Sequence, residues 1–154
     1  MSTKGAVMGT IVVGVDGSYG SRRALEWAID EARRRSDELI AVHAWSLPIV
    51  VGTFEAVIPV AENVDFQKEA EGYLERTVKE VAGGDPDVPI RLEATQRPAA
   101  SALVHASRDA ELLVVGSRGF GGFRGLLLGS VGQQCAQHSH CPVVIVPHEE
   151  RKAS

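Results

Sequence analysis

Apolar positions along the chain fall into short blocks with two different periods. Ile11, Val12, Val13, Gly14 and Val15 run without interruption to Asp16, the pattern of a parallel strand covered on both faces. Ala24, Leu25, Ala28, Ile29 and Ala32 then recur at helical spacing behind Ser18 and Ser21, either of which can cap that helix. Residues 39–44 form a second apolar run and predict a second buried strand. Phe66, Ala70, Tyr73, Leu74, Thr77, Val78 and Val81 share one helical face, and Gly83, Gly84 and Pro86 end the helix. Beyond Pro89, the residues Ile90, Leu92 and Ala94 alternate with Arg91 and Glu93, which predicts a strand with one wet face at a sheet edge. Pro98 opens a third helix that runs through Ser107, and residues 111–115 make the next buried strand. A last helix starts at Ser130 and runs to about His138, before Pro142, Val143, Val144, Ile145 and Val146 supply a fifth strand.

Strands alternating with helices imply right-handed crossovers. The expected fold is therefore α/β: a five-stranded, mostly parallel, doubly wound sheet of order 3-2-1-4-5 in a Rossmann-like three-layer sandwich. One domain over residues 9–148 accounts for the chain of 154 residues, with residues 1–8 and 149–154 as flexible ends. In that order the fifth strand is an edge, yet residues 142–146 carry no charge to protect it. A homodimer formed through this strand is the expectation.

Composition narrows the partners. A formal net charge of -4, with 16 basic residues spread along the chain, provides no cationic stripe for nucleic acid. The run Arg33, Arg34, Arg35 falls at a helix end, where cations complement the macrodipole. Residues 47–61 are broken by Pro48, Gly52, Glu55 and Pro59, so they do not make a bilayer-spanning helix; the segment 47–60 is a lid or a partner-binding patch. Residues 1–8 lack the apolar block of a secretory signal, so the expected compartment is the cytoplasm, with Cys135 and Cys141 as reduced thiols. Cys135, His138, His140 and Cys141 fit no zinc spacing, and His43 and His105 lack the partners of a catalytic triad; packing explains them more simply. Trp27 and Trp45 belong in the core or at its rim.

The segment from Gly116 to Gly125 holds five glycines in ten residues, between a buried strand and the helix that opens after Gly129. Glycine lets backbone approach a ligand closely, so that successive amides point at phosphate oxygens, and a helix N-terminus adds free N–H groups. Gly116, Ser117, Arg118, Gly119, Phe120, Gly121, Gly122, Gly129 and Ser130 are the candidate phosphate contacts. Ser130 with Gln133 also has the spacing of a capping box. Arg118 and Arg124 either neutralise phosphate or stay solvated. Asp16 ends the first strand on the same rim, where its carboxylate can accept from a ribose, hold a metal ion through water, or cap the next helix.

The spacing Gly116, two residues, Gly119, nine residues, Gly129, Ser130 resembles the ATP-binding signature of the universal stress protein family. Residues 11–18 (IVVGVDGS) look like that family's opening strand, and His140, Cys141, Pro142, Val143 and Val144 extend the likeness nearly to the end of the chain. The resemblance implies an adenine nucleotide alpha hydrolase-like fold and a dimeric stress-response protein that binds ATP, with ADP, AMP and cyclic AMP as alternatives and magnesium as a possible companion. It places phosphates on Gly116, Gly119, Gly129, Ser130 and Val131, the ribose or adenine at Asp16, and backbone of Gly14, Val15 and Ala44 around the adenine. Two positions depart from the family pattern: Gly132 stands where a small hydroxyl residue is common, and Gln96 and Arg97 stand where a glycine usually precedes the third helix.

Two further functions compete with a regulator that needs no turnover. Residues 116–130 contain no lysine, whereas P-loop catalysis uses one on the β and γ phosphates, so ATP hydrolysis is at most slow. Flavin binding is the other, since related doubly wound sheets hold flavin at the same place.

Overall fold

The computed structural model describes residues 8–47, 64–84, 86–119 and 128–148. The expectations placed on residues 1–7, 48–60, 120–125 and 149–154, which include Phe120, Gly121, Gly122 and Arg124 and both ends of the chain, lie outside the described residues.

Five strands make one sheet: β1 (Thr10–Gly14), β2 (Glu38–Trp45), β3 (Ile90–Gln96), β4 (Leu112–Gly116) and β5 (Val143–Val146). Their order is β3-β2-β1-β4-β5, as the alternation of elements predicts, and every neighbouring pair is parallel. In the central strand, Ile11, Val12 and Val13 are fully buried. Their side chains alternate between two cores, because successive residues of a strand face opposite sides of the sheet. Ile11 and Val13 pack with Ala24, Leu25, Ala28, Leu74 and Val78, from helices α1 (Tyr19–Arg35) and α2 (Phe66–Ala82). Val12 joins Ile40, Val42, Leu103, Leu113 and Cys135 on the other face, under α3 (Ala99–Ala106) and α4 (Ser130–His138). Completely buried leucines such as Leu25, Leu39, Leu74 and Leu113 each contribute roughly 1.5–3 kcal/mol to holding the layers together.

Local signals fix most element ends. Ser18, rather than Ser21, is the N-cap of α1, its side chain accepting from Ser21 N. Arg33, Arg34 and Arg35 occupy the last turn of that helix and pair with Asp30, Asp87 and Glu31. Asp65 caps α2, which ends at Gly83 with φ 81°. Pro98 is the N-cap of α3 and not its first helical residue, and the helix closes in a short 3-10 turn, Ser107–Asp109. Leu92 departs from the expected buried face of the edge strand: it is 38% exposed, because α2 covers β3 only in part.

Candidate functional site

A cleft of about 490 Å³ opens at the carboxyl ends of β1 and β4. These strands are neighbours, but the chain leaves β1 toward β2 on one side and β4 toward β5 on the other. Loops diverge at such a switch point and leave a crevice. The structure brings eleven of the sequence candidates to its walls: Gly14, Val15, Asp16, Ala44, Gly116, Ser117, Arg118, Gly119, Gly129, Ser130 and Val131. Sequence reasoning missed Ser18, Ser21, Val42, Ala99, Leu103, Val115 and Gln133, which also line it, as does Gly132. Val42 and Leu103 belong to the core beneath α3 and α4, so one end of the cleft is apolar. Strand alternation carries part of the missing signal, since Val42 and Ala44 lie on one face of β2.

The opposite end is polar. Asp16 N donates to Ser21 Oγ at 3.2 Å, and Asp16 Oδ1 accepts from Ser18 N at 2.8 Å. The second carboxylate oxygen faces Gly119, where an added Cβ would lie 2.7 Å from Oδ2. Across from the carboxylate, Gly129 N donates to Ser117 O at 2.7 Å, drawing the start of α4 against the end of β4. Ser117 is itself fixed from the far side, its N bonded to Val146 O and its Oγ accepting from His148 N.

The expected capping box at Ser130 is not formed. Gly129 is the N-cap, extended at φ -72° and ψ 171°, and Ser130 is the first helical residue. Gln133 N bonds to Gly129 O, and the Gln133 side chain turns back to Leu128 O. Pulling Gly129 onto Ser117 O moves the helix start one residue earlier than the capping pattern suggests. The first-turn amides of Ser130, Val131 and Gly132 have no intrahelical acceptor, and the N-cap Gly129 brings no side chain to accept from them. They stand at the positive end of its dipole, beside the cleft.

Gly132 also has a structural role, for a Cβ there would lie 2.6 Å from Leu128 Cδ1. Cys135 is fully buried in the core under α4, and burial pushes its thiol up to about 11. Cys141 is half-buried and meets Ser139 Oγ at 3.6 Å. His43 Nδ1 lies 2.8 Å from Val15 O. Among the described residues, no group of three or more His, Cys, Asp or Glu side chains is placed to hold a metal ion, and no helix is long and apolar enough to cross a membrane.

The family model for the Universal stress protein family matches residues 8–147. This chain belongs to that family. Universal stress protein Rv2623 of Mycobacterium tuberculosis is 40% identical over 139 residues, covering 88% of this chain and 44% of its own length. This universal stress protein spans about half the length of the curated relatives it matches. Among solved structures, universal stress protein UspA from Lactobacillus plantarum superposes with a TM-score of 0.72 at 20% identity, covering 90% of this chain and 97% of that one, and shares the fold. A universal stress protein crystallised in complex with cAMP has a TM-score of 0.63 and 28% identity, covering 92% of this chain and 98% of its own.

Proposed function

We propose that this chain is an adenine-nucleotide-binding stress protein, a cytoplasmic regulator that acts through its bound state and needs no turnover. The observation that carries the reading is the pairing of two features across one cleft: the uncapped amides of Ser130, Val131 and Gly132, and the Asp16 carboxylate beside Gly119. Bare amides at a helix N-terminus suit phosphate oxygens, and a fixed carboxylate suits the hydroxyls of a ribose. Val42, Ala44 and Leu103 offer the apolar surface that a purine needs.

ATP is the first ligand we assign, with Gly116, Ser117, Arg118, Gly119, Gly129, Ser130 and Val131 around its phosphates and Gly14, Val15, Asp16 and Ala44 around the nucleoside. Phe120, Gly121 and Gly122 complete the same proposed site. Magnesium would sit with the phosphates, reached by Asp16 through water. Cyclic AMP is the second reading, favoured by the 28%-identical relative that carries it and by Gly132, which brings no hydroxyl to the phosphate end. With no lysine in residues 116–130, hydrolysis of ATP is at most slow. A homodimer through β5 completes the proposal.

The deciding experiment is to denature the purified protein and identify any released small molecule by mass spectrometry, followed by calorimetry with ATP, ADP, AMP and cyclic AMP. An adenine nucleotide in the supernatant, or saturable binding of one of the four, is the expected result. The absence of both release and saturable binding would remove the proposal.

A further inference from the structure

The turn that presents Asp16 to the cleft is held from behind by two side chains that do not line the cleft. Val15 N donates to Val42 O at 2.8 Å, and Val15 O receives His43 Nδ1 at 2.8 Å. A carbonyl oxygen only accepts, so the Nδ1 nitrogen of His43 carries the proton. One residue on, Asp16 O receives the Tyr73 hydroxyl at 3.3 Å. Gly17 follows with φ 82°, and a Cβ built on it would fall 1.6 Å from the Tyr73 hydroxyl oxygen. The two rings lean on each other, with centroids 5.2 Å apart at 49°. His43 comes from the face of β2 opposite Val42 and Ala44, and Tyr73 comes from α2.

We infer that His43 and Tyr73 are positioning residues for nucleotide binding, acting through the backbone of residues 15–17 to set where the Asp16 carboxylate stands. Both polar backbone groups of Val15 are tied to β2. Asp16 is tied through its N, its O and Oδ1, so among the described residues only Oδ2 is left without a donor and facing Gly119. A site built this way loses affinity when its support loosens, although the supporting groups never touch the ligand. His43 has the stronger role, since its bond is short and the hydroxyl of Tyr73 acts mainly by filling the space over Gly17. The sequence offered His43 only as a structural histidine and Tyr73 only as part of a helix face. The contact joining them to Asp16 depends on three separate elements meeting.

This inference rests on the reading that Asp16 meets the nucleoside, so the test separates the two. Calorimetric titration with ATP and with cyclic AMP would compare the natural chain with His43→Leu, His43→Asn, Tyr73→Phe and Asp16→Ala, and with His43→Leu and Tyr73→Phe each combined with Asp16→Ala. Hydrogen–deuterium exchange at residues 16–18 would be followed without ligand. We expect His43→Leu to weaken binding on the order of fivefold, the loss of one hydrogen bond. His43→Asn, which keeps an amide donor, should recover most of it, and Tyr73→Phe should cost about twofold. Within Asp16→Ala both effects should vanish, because residues acting through one group are not additive. Exchange at residues 16–18 should rise in His43→Leu and Tyr73→Phe while the sheet core stays protected. Equal losses with and without the Asp16 carboxylate, natural affinity in both His43→Leu and Tyr73→Phe, or unchanged exchange in both would overturn the inference. If the natural chain bound no nucleotide while exchange rose as expected, the positioning of the turn would stand and the nucleotide reading would fail.

Discussion

Gly119 and Asp16 meet so closely that no side chain fits between them: a Cβ on residue 119 would lie 2.7 Å from Asp16 Oδ2. The carboxylate is tethered through Oδ1 to Ser18 N, so it yields only by leaving that bond. Gly119→Ala should therefore displace the Asp16 side chain while leaving the sheet intact. We expect adenine-nucleotide affinity to fall about tenfold in Gly119→Ala with Tm nearly unchanged. It should fall as much in Asp16→Ala, where losing the acceptor for Ser18 N also lowers Tm by about 2–4 °C. Calorimetric binding alongside thermal unfolding checks this; retained affinity in both variants would contradict the proposed site.

Gly116 behaves differently, because its neighbour is backbone. A Cβ there would stand 2.8 Å from the carbonyl carbon and oxygen of Gly20, and a Cβ on Gly20 would stand 2.6 Å from Arg118 O. The first turn of α1 thus lies directly against the end of β4, and neither partner has a side chain that could swing aside. Gly116→Ala and Gly20→Ala should each destabilise the fold by roughly 2 kcal/mol, which lowers Tm by roughly 4–8 °C. Differential scanning calorimetry gives the comparison, and a Tm equal to that of the natural chain would show that the backbone yields freely.

The strand order could be read in the sequence because strands alternate with helices, which implies the doubly wound order. The central strands are also apolar on both faces, although the edge strand β5 is as apolar as they are. Ile11, Val12 and Val13 declare the centre, and Pro89 with Arg91 and Glu93 declares one edge. The close contact of Gly20 with Gly116 left no such trace. It joins residues nearly a hundred positions apart, and no local period records it. The start of α4 was misread for a related reason: Ser130 and Gln133 have capping-box spacing, but a bond from Gly129 to Ser117 O, across a loop, decides where the helix begins.

The two cysteines should react very differently. Cys135 is fully buried and its thiol is pushed up to about 11 by burial, whereas Cys141 is half-buried in the turn before β5. Mass spectrometry after iodoacetamide treatment at pH 8 should find Cys141 modified first and Cys135 modified only on unfolding. The folded thiol holds its proton above the ordinary value of 9.0, so the native state binds more protons than the unfolded state between about pH 9 and 11. Stability should fall across that window, by an amount on the order of 2 kcal/mol. Cys135→Ala should flatten this part of the pH profile, and an unaltered slope would assign it to other groups.

The strand β5 lies at an edge, and Val143, Val144 and Ile145 remain only partly covered. If this edge joins two copies, light scattering at micromolar concentration should give twice the chain mass. Val143→Lys should then shift the population to the monomer without reducing the helical signal in circular dichroism. A monomeric mass for the natural chain would remove the dimer from the proposal.

Within this domain the first strand to be synthesised becomes the middle of the sheet, and its neighbour β4 follows only after roughly a hundred more residues, Ile11 pairing with Leu112. As the domain is synthesised, β1 can already pair with β2, yet its other flank must wait for β4. The crevice between these strands is consequently among the last features of the domain to be assembled, and anything that bridges its two walls acts as a clasp between the domain's earlier and later halves.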